Sequence, residues 1–334
     1  MNDEAQIARL FRRHGDVVAP DDLGGVVSVG LREQLEVYHT LAGEVDCVFL
    51  ADMTFNAVAI SDGTRYAIGI NIGAAVLIAR YAYCLMSDPT MFPNIGDPSG
   101  EEVDPYVIEC LRNPLRAKSY GRYLPRNPTR LEAAKQLSLA AYLMLFFHEL
   151  NHLELGHLDL AKDRFGVTEY REITAVPIST EEAAARRALE LEADMAALYR
   201  SLQVWRTLYA LFDQPALAAV TPEDSWFHAV ELLFWIMDFV QPDSHVGRLA
   251  THPSPMARRL NVLDVTSAVD WVPTMNDPSP LIPWIRRNRF PSPALTDPLY
   301  GNPDRAKREV AETGRQLVEL LPTLDSYRRF QSAG

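Results

Sequence analysis

The stretch Phe147-His148-Glu149-Leu150-Asn151-His152-Leu153-Glu154-Leu155-Gly156-His157 contains the pattern His-Glu-x-x-His. In a helix each residue turns ~100°, so His152 lies ~40° around from His148 and both imidazoles leave one face, a turn apart. Two neutral imidazoles at that spacing offer two nitrogen ligands to one zinc ion. Glu149, one residue on, is placed to contact a water on the metal rather than the metal itself, which is the position of a general base. The plain alternative is a histidine-rich surface helix. Against it stands the apolar run Leu143-Met144-Leu145-Phe146-Phe147 just before, which predicts that the histidines are buried and need partners.

A catalytic zinc takes three protein ligands and keeps its fourth position for water. His157 cannot be the third on an unbroken helix, because it lies ~180° around from His148. Its interval from His152 is five residues, where the metzincin pattern needs six. The better candidate lies in Ala188-Leu189-Glu190-Leu191-Glu192-Ala193-Asp194. Glu190 and Asp194 are four apart and share a helix face. Glu190 is read as the third ligand and Asp194 as the acceptor behind a ligating histidine, fixing its tautomer. Glu192 points ~160° away from both. The plain alternative for Glu190 is a solvated charged face, since Arg186, Arg187 and Glu192 are close by.

These segments must be carried by a folded scaffold, and the composition provides for one. The chain has 334 residues, 48% hydrophobic and 23% charged, enough to bury a core in one large domain or two smaller ones. Its net charge of −12 argues against nucleic acid as a main partner, with Arg286-Arg287-Asn288-Arg289 as a local basic exception. Cys47, Cys84 and Cys110 are far apart with no paired spacing, which points to a reducing compartment. No leader-like N-terminus is read, and no apolar run reaches the ~20 residues of a membrane span. A cytoplasmic protein is expected, of unassigned oligomeric state.

Residues 1–44 read as an N-terminal helical segment. The β-prone runs 47–50, 56–60 and 66–70, the last two joined by Ser61-Asp62-Gly63, predict a hairpin or small antiparallel sheet. A buried helix follows over 74–85. Residues 87–130, rich in Pro, Gly, Asn and Asp, read as an insertion or lid with a short helical piece near 106–111. Asn127-Pro128-Thr129 starts a long helix over 131–160 that holds the histidines. Thr180 caps a second, over 180–211, that holds Glu190; a third apolar helix spans 226–240. From residue 266 the chain is proline-rich, ending in an amphipathic helix over 304–321. His14, His39, His228 and His245 are isolated, and Trp205, Trp226, Trp235 and Phe227 read as core. The class is α+β, mainly helical.

With these motifs in place, the sequence resembles the HtpX-like and CAAX-prenyl-protease-like zinc peptidases, family forty-eight of the metallopeptidases, which are gluzincins. Members carry His-Glu-x-x-His and then a Glu-x-x-x-Asp helix, matched here by His148 to His152 and by Glu190 with Asp194. Upstream, Phe55-Asn56-Ala57-Val58-Ala59 and the strand after it resemble an Asn-Ala-Phe-Ala-like segment, with Val58 where Phe is usual. Downstream, Thr251-His252-Pro253-Ser254-Pro255-Met256-Ala257-Arg258 matches a His-Pro segment with an arginine six residues after the histidine. Some members also have a histidine where His157 stands. The motifs cover about residues 45–265; residues 1–44 and the C-terminal extension, 266–334, lie outside them. Many members are embedded in a membrane, whereas this chain has no spanning segment.

The resemblance implies a zincin-like core around a His-Glu-x-x-His helix, with one zinc ion per chain and a protein or peptide substrate. His148, His152 and Glu190 would hold the zinc, with Asp194 behind a histidine and Glu149 as base. His252 would donate to the developing oxyanion, and Arg258 would orient it or bridge to the histidine helix. Asn56 and Ala57 would hold an extended peptide against the sheet edge. Two alternatives stay open. One is a selective protease of a single host or phage protein; the other is a zinc-bound regulatory module without turnover.

Overall fold

A computed structural model of the chain describes residues 3–19, 25–102, 124–166, 169–171, 179–211, 220–240, 252–253, 257–258 and 303–328. The N-terminal part holds α1 (Asp3–Leu10), the two-residue strand β1 (Val17–Val18) and α2 (Gly25–Ala42). Then come β2 (Asp46–Leu50), β3 (Ala57–Ser61), β4 (Tyr66–Asn71) and α3 (Ile72–Ser87). The hairpin between β3 and β4 forms at the expected turn. There Asp62 Oδ1 accepts from the amides of Thr64 and Arg65 at 2.8 and 3.0 Å, and Gly63 takes a φ of +93°.

The sheet is mixed, not antiparallel as the sequence predicts. Its order is β1-β2-β4-β3-β5, where β5 is Glu169–Arg171, and β2 runs parallel to β4 while the other pairs are antiparallel. The reason lies in the connection: the chain leaving β2 crosses to the far side of the hairpin, so β4 rather than β3 lies beside β2. Every residue of β3 is buried, which is why that run reads as continuously apolar.

The long helix of the sequence reading is two helices. α4 (Pro128–Glu154) starts where Asn127 Oδ1 accepts from the amides of Thr129 and Arg130. It stops at Gly156, whose φ of +77° continues no right-handed helix, and α5 (His157–Phe165) begins at once. α6 (Thr180–Leu211) and α7 (Pro222–Val240) follow, then α8 (Pro303–Leu324).

α4 is the centre of the core: α6, α3, α7 and β3 all pack on it. It is buried nearly all round from Ala140 to Leu153, as its unbroken apolar run requires. At its start the Arg130 guanidinium is fully buried. It donates to the carbonyls of Met86, Asp88, Met91, Phe92 and Ile95 at 2.7–3.0 Å, fastening the first part of the 87–130 segment to the helix. The short helical piece expected near 106–111 and most of the proline-rich stretch after 266 fall outside the described residues. α8 packs along α6, so the end of the C-terminal extension is part of the main body. Among the described residues no helix is long and apolar enough to cross a membrane.

Candidate metal centre

The last two turns of α4 and the middle of α6 face each other, and two polar contacts fix their register. Asn151 Nδ2 donates to the Ala193 carbonyl at 3.4 Å, and Arg200 donates to Asn151 Oδ1 at 3.0 Å while pairing with Glu154. This crossing brings His148 and His152 of α4 against Glu190 of α6. The three form a fully buried group that could hold a metal ion. The two Nε2 atoms are 3.1 Å apart, and Glu190 places Oε2 3.2 Å from His148 Nε2 and Oε1 3.5 Å from His152 Nε2.

Those separations fit a single ion. Four ligands at ~2.0–2.1 Å around a tetrahedral centre stand about 3.3–3.4 Å from one another, close to the spacings here. The chemistry of the donors agrees. Two imidazole nitrogens and a carboxylate converging inside an apolar core are costly without a cation between them.

The outer nitrogen of each imidazole is engaged. His148 Nδ1 lies 3.0 Å from Asp194 Oδ1, and His152 Nδ1 lies 3.1 Å from His157 Nδ1. Both Nε2 atoms are thereby turned toward the common point.

Burial pushes the His152 imidazole down to about 4, against the pull of Glu190, so the ring is neutral near pH 7 and in its ligating form. Burial alone would raise the Glu190 carboxyl. The histidines around it, His252 foremost, outweigh that effect and hold the group well below the ordinary carboxylate range, so it is ionised.

Glu149 is buried on α4 beside His148. His252 is also buried, with Nε2 3.3 Å from Glu190 Oε2. Arg258 reaches both carboxylates of α6, 3.5 Å to Glu190 Oε2 and 3.3 Å to Asp194 Oδ2. Its guanidinium is steadied by Met237 Sδ at 3.2 Å and lies 5.5 Å from the centre of the Phe234 ring, both on α7. Of the two roles expected for Arg258, orienting His252 or bridging to the histidine helix, these contacts show neither directly; they tie it to α6.

Asn56 immediately precedes β3. Its carbonyl accepts from the Asn71 amide at 3.0 Å, and its Oδ1 accepts from the Ala57 amide at 3.0 Å. The flank of β3 away from β4 is not a free edge along its whole length. β5 pairs with Val58, Ala59 and Ile60 there, while Ala57 lies beyond that pairing. Of the isolated histidines, His14 meets Glu169, His39 meets the Cys47 carbonyl, and His228 is buried; His245 lies outside the described residues.

Sequence reasoning passed over two residues that matter here. His157 and Glu192 were set aside as ligands, and neither belongs to the metal group; they meet each other instead, at 3.0 Å. The available signal was Gly156, a helix stop that frees His157 from the ideal rotation. No protein-family model, curated protein or solved structure matches the chain.

Proposed function

We propose that the chain is a zinc-dependent endopeptidase with a zincin-like core, its metal held by His148, His152 and Glu190. The observation that carries this reading is the convergence of two Nε2 atoms and one carboxylate at tetrahedral spacing, with the buried Glu149 next to the first ligand. A purely structural ion is normally closed by four protein ligands and has no use for an adjacent base. Zinc in this site supplies a Lewis acid for the scissile carbonyl and acidifies water toward neutrality.

The remaining steps belong to the protein's own side chains. The Glu149 carboxylate takes the proton of the attacking water and passes it to the leaving amine. His252 donates a hydrogen bond to the carbonyl oxygen as negative charge develops on it. Arg258 holds Glu190 and Asp194 in place. The substrate is an extended peptide, with Asn56 and Ala57 contacting its backbone at the start of β3. The motif order shared with HtpX-like and CAAX-prenyl-protease-like peptidases supports the same chemistry.

The test compares zinc-loaded wild type with Glu149→Gln on unfolded casein and on a mixed peptide library. Wild type is expected to cleave, and the variant to keep its zinc while losing at least about a hundredfold in rate. Equal rates would remove Glu149 from the mechanism. Cleavage of neither substrate by zinc-loaded wild type would overturn the reading as a general endopeptidase.

A further inference from the structure

Behind His152 runs a chain of contacts that leaves the metal helix altogether. His157 Nδ1 lies 3.1 Å from His152 Nδ1, and His157 Nε2 lies 3.0 Å from Glu192 Oε2. The other oxygen of Glu192 accepts from Arg328 at 2.5 Å, across 136 residues of sequence. The links therefore pass from α4 through α5 and α6 to the residues just beyond α8.

One proton assignment satisfies every link. A neutral His152 that ligates through Nε2 carries its proton on Nδ1 and donates it to His157 Nδ1. His157 then carries its own proton on Nε2, where the Glu192 carboxylate accepts it. Arg328 donates to that carboxylate from the far side. No two donors and no two acceptors face each other.

The C-terminal residues are seated for this contact. Gly156, at the helix break, leaves a notch: a Cβ there would lie 2.5 Å from the Tyr327 carbonyl oxygen. Tyr327 also donates its hydroxyl to Asp163 Oδ2 of α5 at 2.9 Å. The two ligating histidines thus draw support from different sources. His148 has Asp194, one turn from Glu190 on the same helix, whereas His152 is reached from the opposite end of the chain.

We propose that His157, Glu192 and Arg328 form a positioning relay that fixes the tautomer and ring orientation of His152, so that the segment after α8 completes the metal centre. The proposal rests on His148, His152 and Glu190 being metal ligands.

The experiment uses the full chain as wild type, Arg328→Ala, Arg328→Lys, Glu192→Gln, Tyr327→Phe and Glu190→Ala. Zinc affinity is measured by competition with a chromogenic chelator, and the visible spectrum is recorded with cobalt in place of zinc. Arg328→Ala and Glu192→Gln are expected to bind zinc about ten- to a hundredfold more weakly and to shift the cobalt bands. Arg328→Lys should recover most of the affinity. Tyr327→Phe, which loosens the same segment without touching the relay, should match wild type.

Unchanged zinc affinity in Arg328→Ala and Glu192→Gln, with zinc lost in Glu190→Ala, would overturn the relay and leave the metal site standing. A loss in Tyr327→Phe as large as that in Arg328→Ala would overturn it in favour of simple docking. A wild type that takes up no zinc would overturn both the relay and the site.

Discussion

Asp194 Oδ1 lies 3.0 Å from His148 Nδ1, so one face of α6 supplies both Glu190, a candidate metal ligand, and the group beside another candidate ligand one turn further on. Asp194 also faces Arg258, whose guanidinium is buried with it. Removing the carboxylate has two consequences that can be measured separately. Asp194→Ala is expected to weaken zinc binding about ten- to a hundredfold. It should also lower unfolding stability by about 3–5 kcal/mol, because one partner of a buried ion pair is left behind. Asp194→Asn keeps an acceptor for the histidine and should fall between. Chelator competition and urea unfolding of the metal-free proteins check the two effects.

Arg130 holds five backbone carbonyls with a fully buried side chain. Its value is geometric: a planar fork reaches acceptors on a curved loop that a single ammonium cannot serve together. Arg130→Ala would strand those carbonyls and is expected to cost more than about 4 kcal/mol, among the largest effects of a single substitution. Arg130→Lys should rescue only part of it. Thermal melts with and without zinc would show the loss in both conditions, because the loop lies at the opposite end of α4 from the histidines.

His228 predicts an acid sensitivity that has nothing to do with metal. Burial holds its imidazole down to about 4, against an ordinary value of 6.5, between Phe92 and Phe227. The unfolded chain binds a proton at this residue near 6.5, and the folded chain does not until about 4. The unfolded state is therefore the more protonated in between, so stability falls as pH drops through that window. Between pH 7 and pH 5 the loss from this residue is about 2 kcal/mol. His152 shifts in the same direction, but a bound metal adds its own pH dependence there. His228→Leu should flatten the profile by about that amount, measured by urea unfolding at the two pH values.

What the sequence made legible was local. The i, i+4 spacing of His148 with His152, and of Glu190 with Asp194, follows from helical rotation alone. α4 starts at the expected Asn127 cap, whereas α6 is capped by Ser179, whose Oγ accepts from the Glu182 amide at 3.0 Å, and not by Thr180 as the sequence predicts. The meeting of the two helices was inferred from a missing third ligand, and their crossing brings Glu190 to both histidines. The parallel pairing of β2 with β4 was not legible, since a connection that crosses a hairpin leaves no mark in strand periodicity. Neither was the contact from Arg328 to Glu192: it joins residues far apart in sequence, one on α6 and one beyond the end of α8. His157 stays out of the metal group, as its rotation predicts, but its place behind His152 follows from the helix break at Gly156, which the rotation alone does not show.

Gly73, at the start of α3, links the scaffold to the proposed substrate contacts. A Cβ there would stand 2.2 Å from the Met53 carbonyl oxygen and 2.4 Å from that of Thr54, and its amide donates to the Asp52 carbonyl at 2.9 Å. The loop that crosses so close leads directly to Asn56, and Asn71 Nδ2 braces it by donating to Thr54 Oγ1 at 3.0 Å. Backbone atoms cannot swing aside as a flexible side chain would. Gly73→Ala must therefore push the loop outward, at a cost of about 1–3 kcal/mol. The histidines lie on α4 and are not part of this loop, so zinc affinity should stay at the wild-type value. If Asn56 and Ala57 hold the peptide backbone, KM rises while kcat changes little, because the groups that move protons keep their places. A fall in kcat at unchanged KM would instead assign the loop to the chemical step, and unchanged kinetics in the folded variant would take Asn56 out of substrate binding.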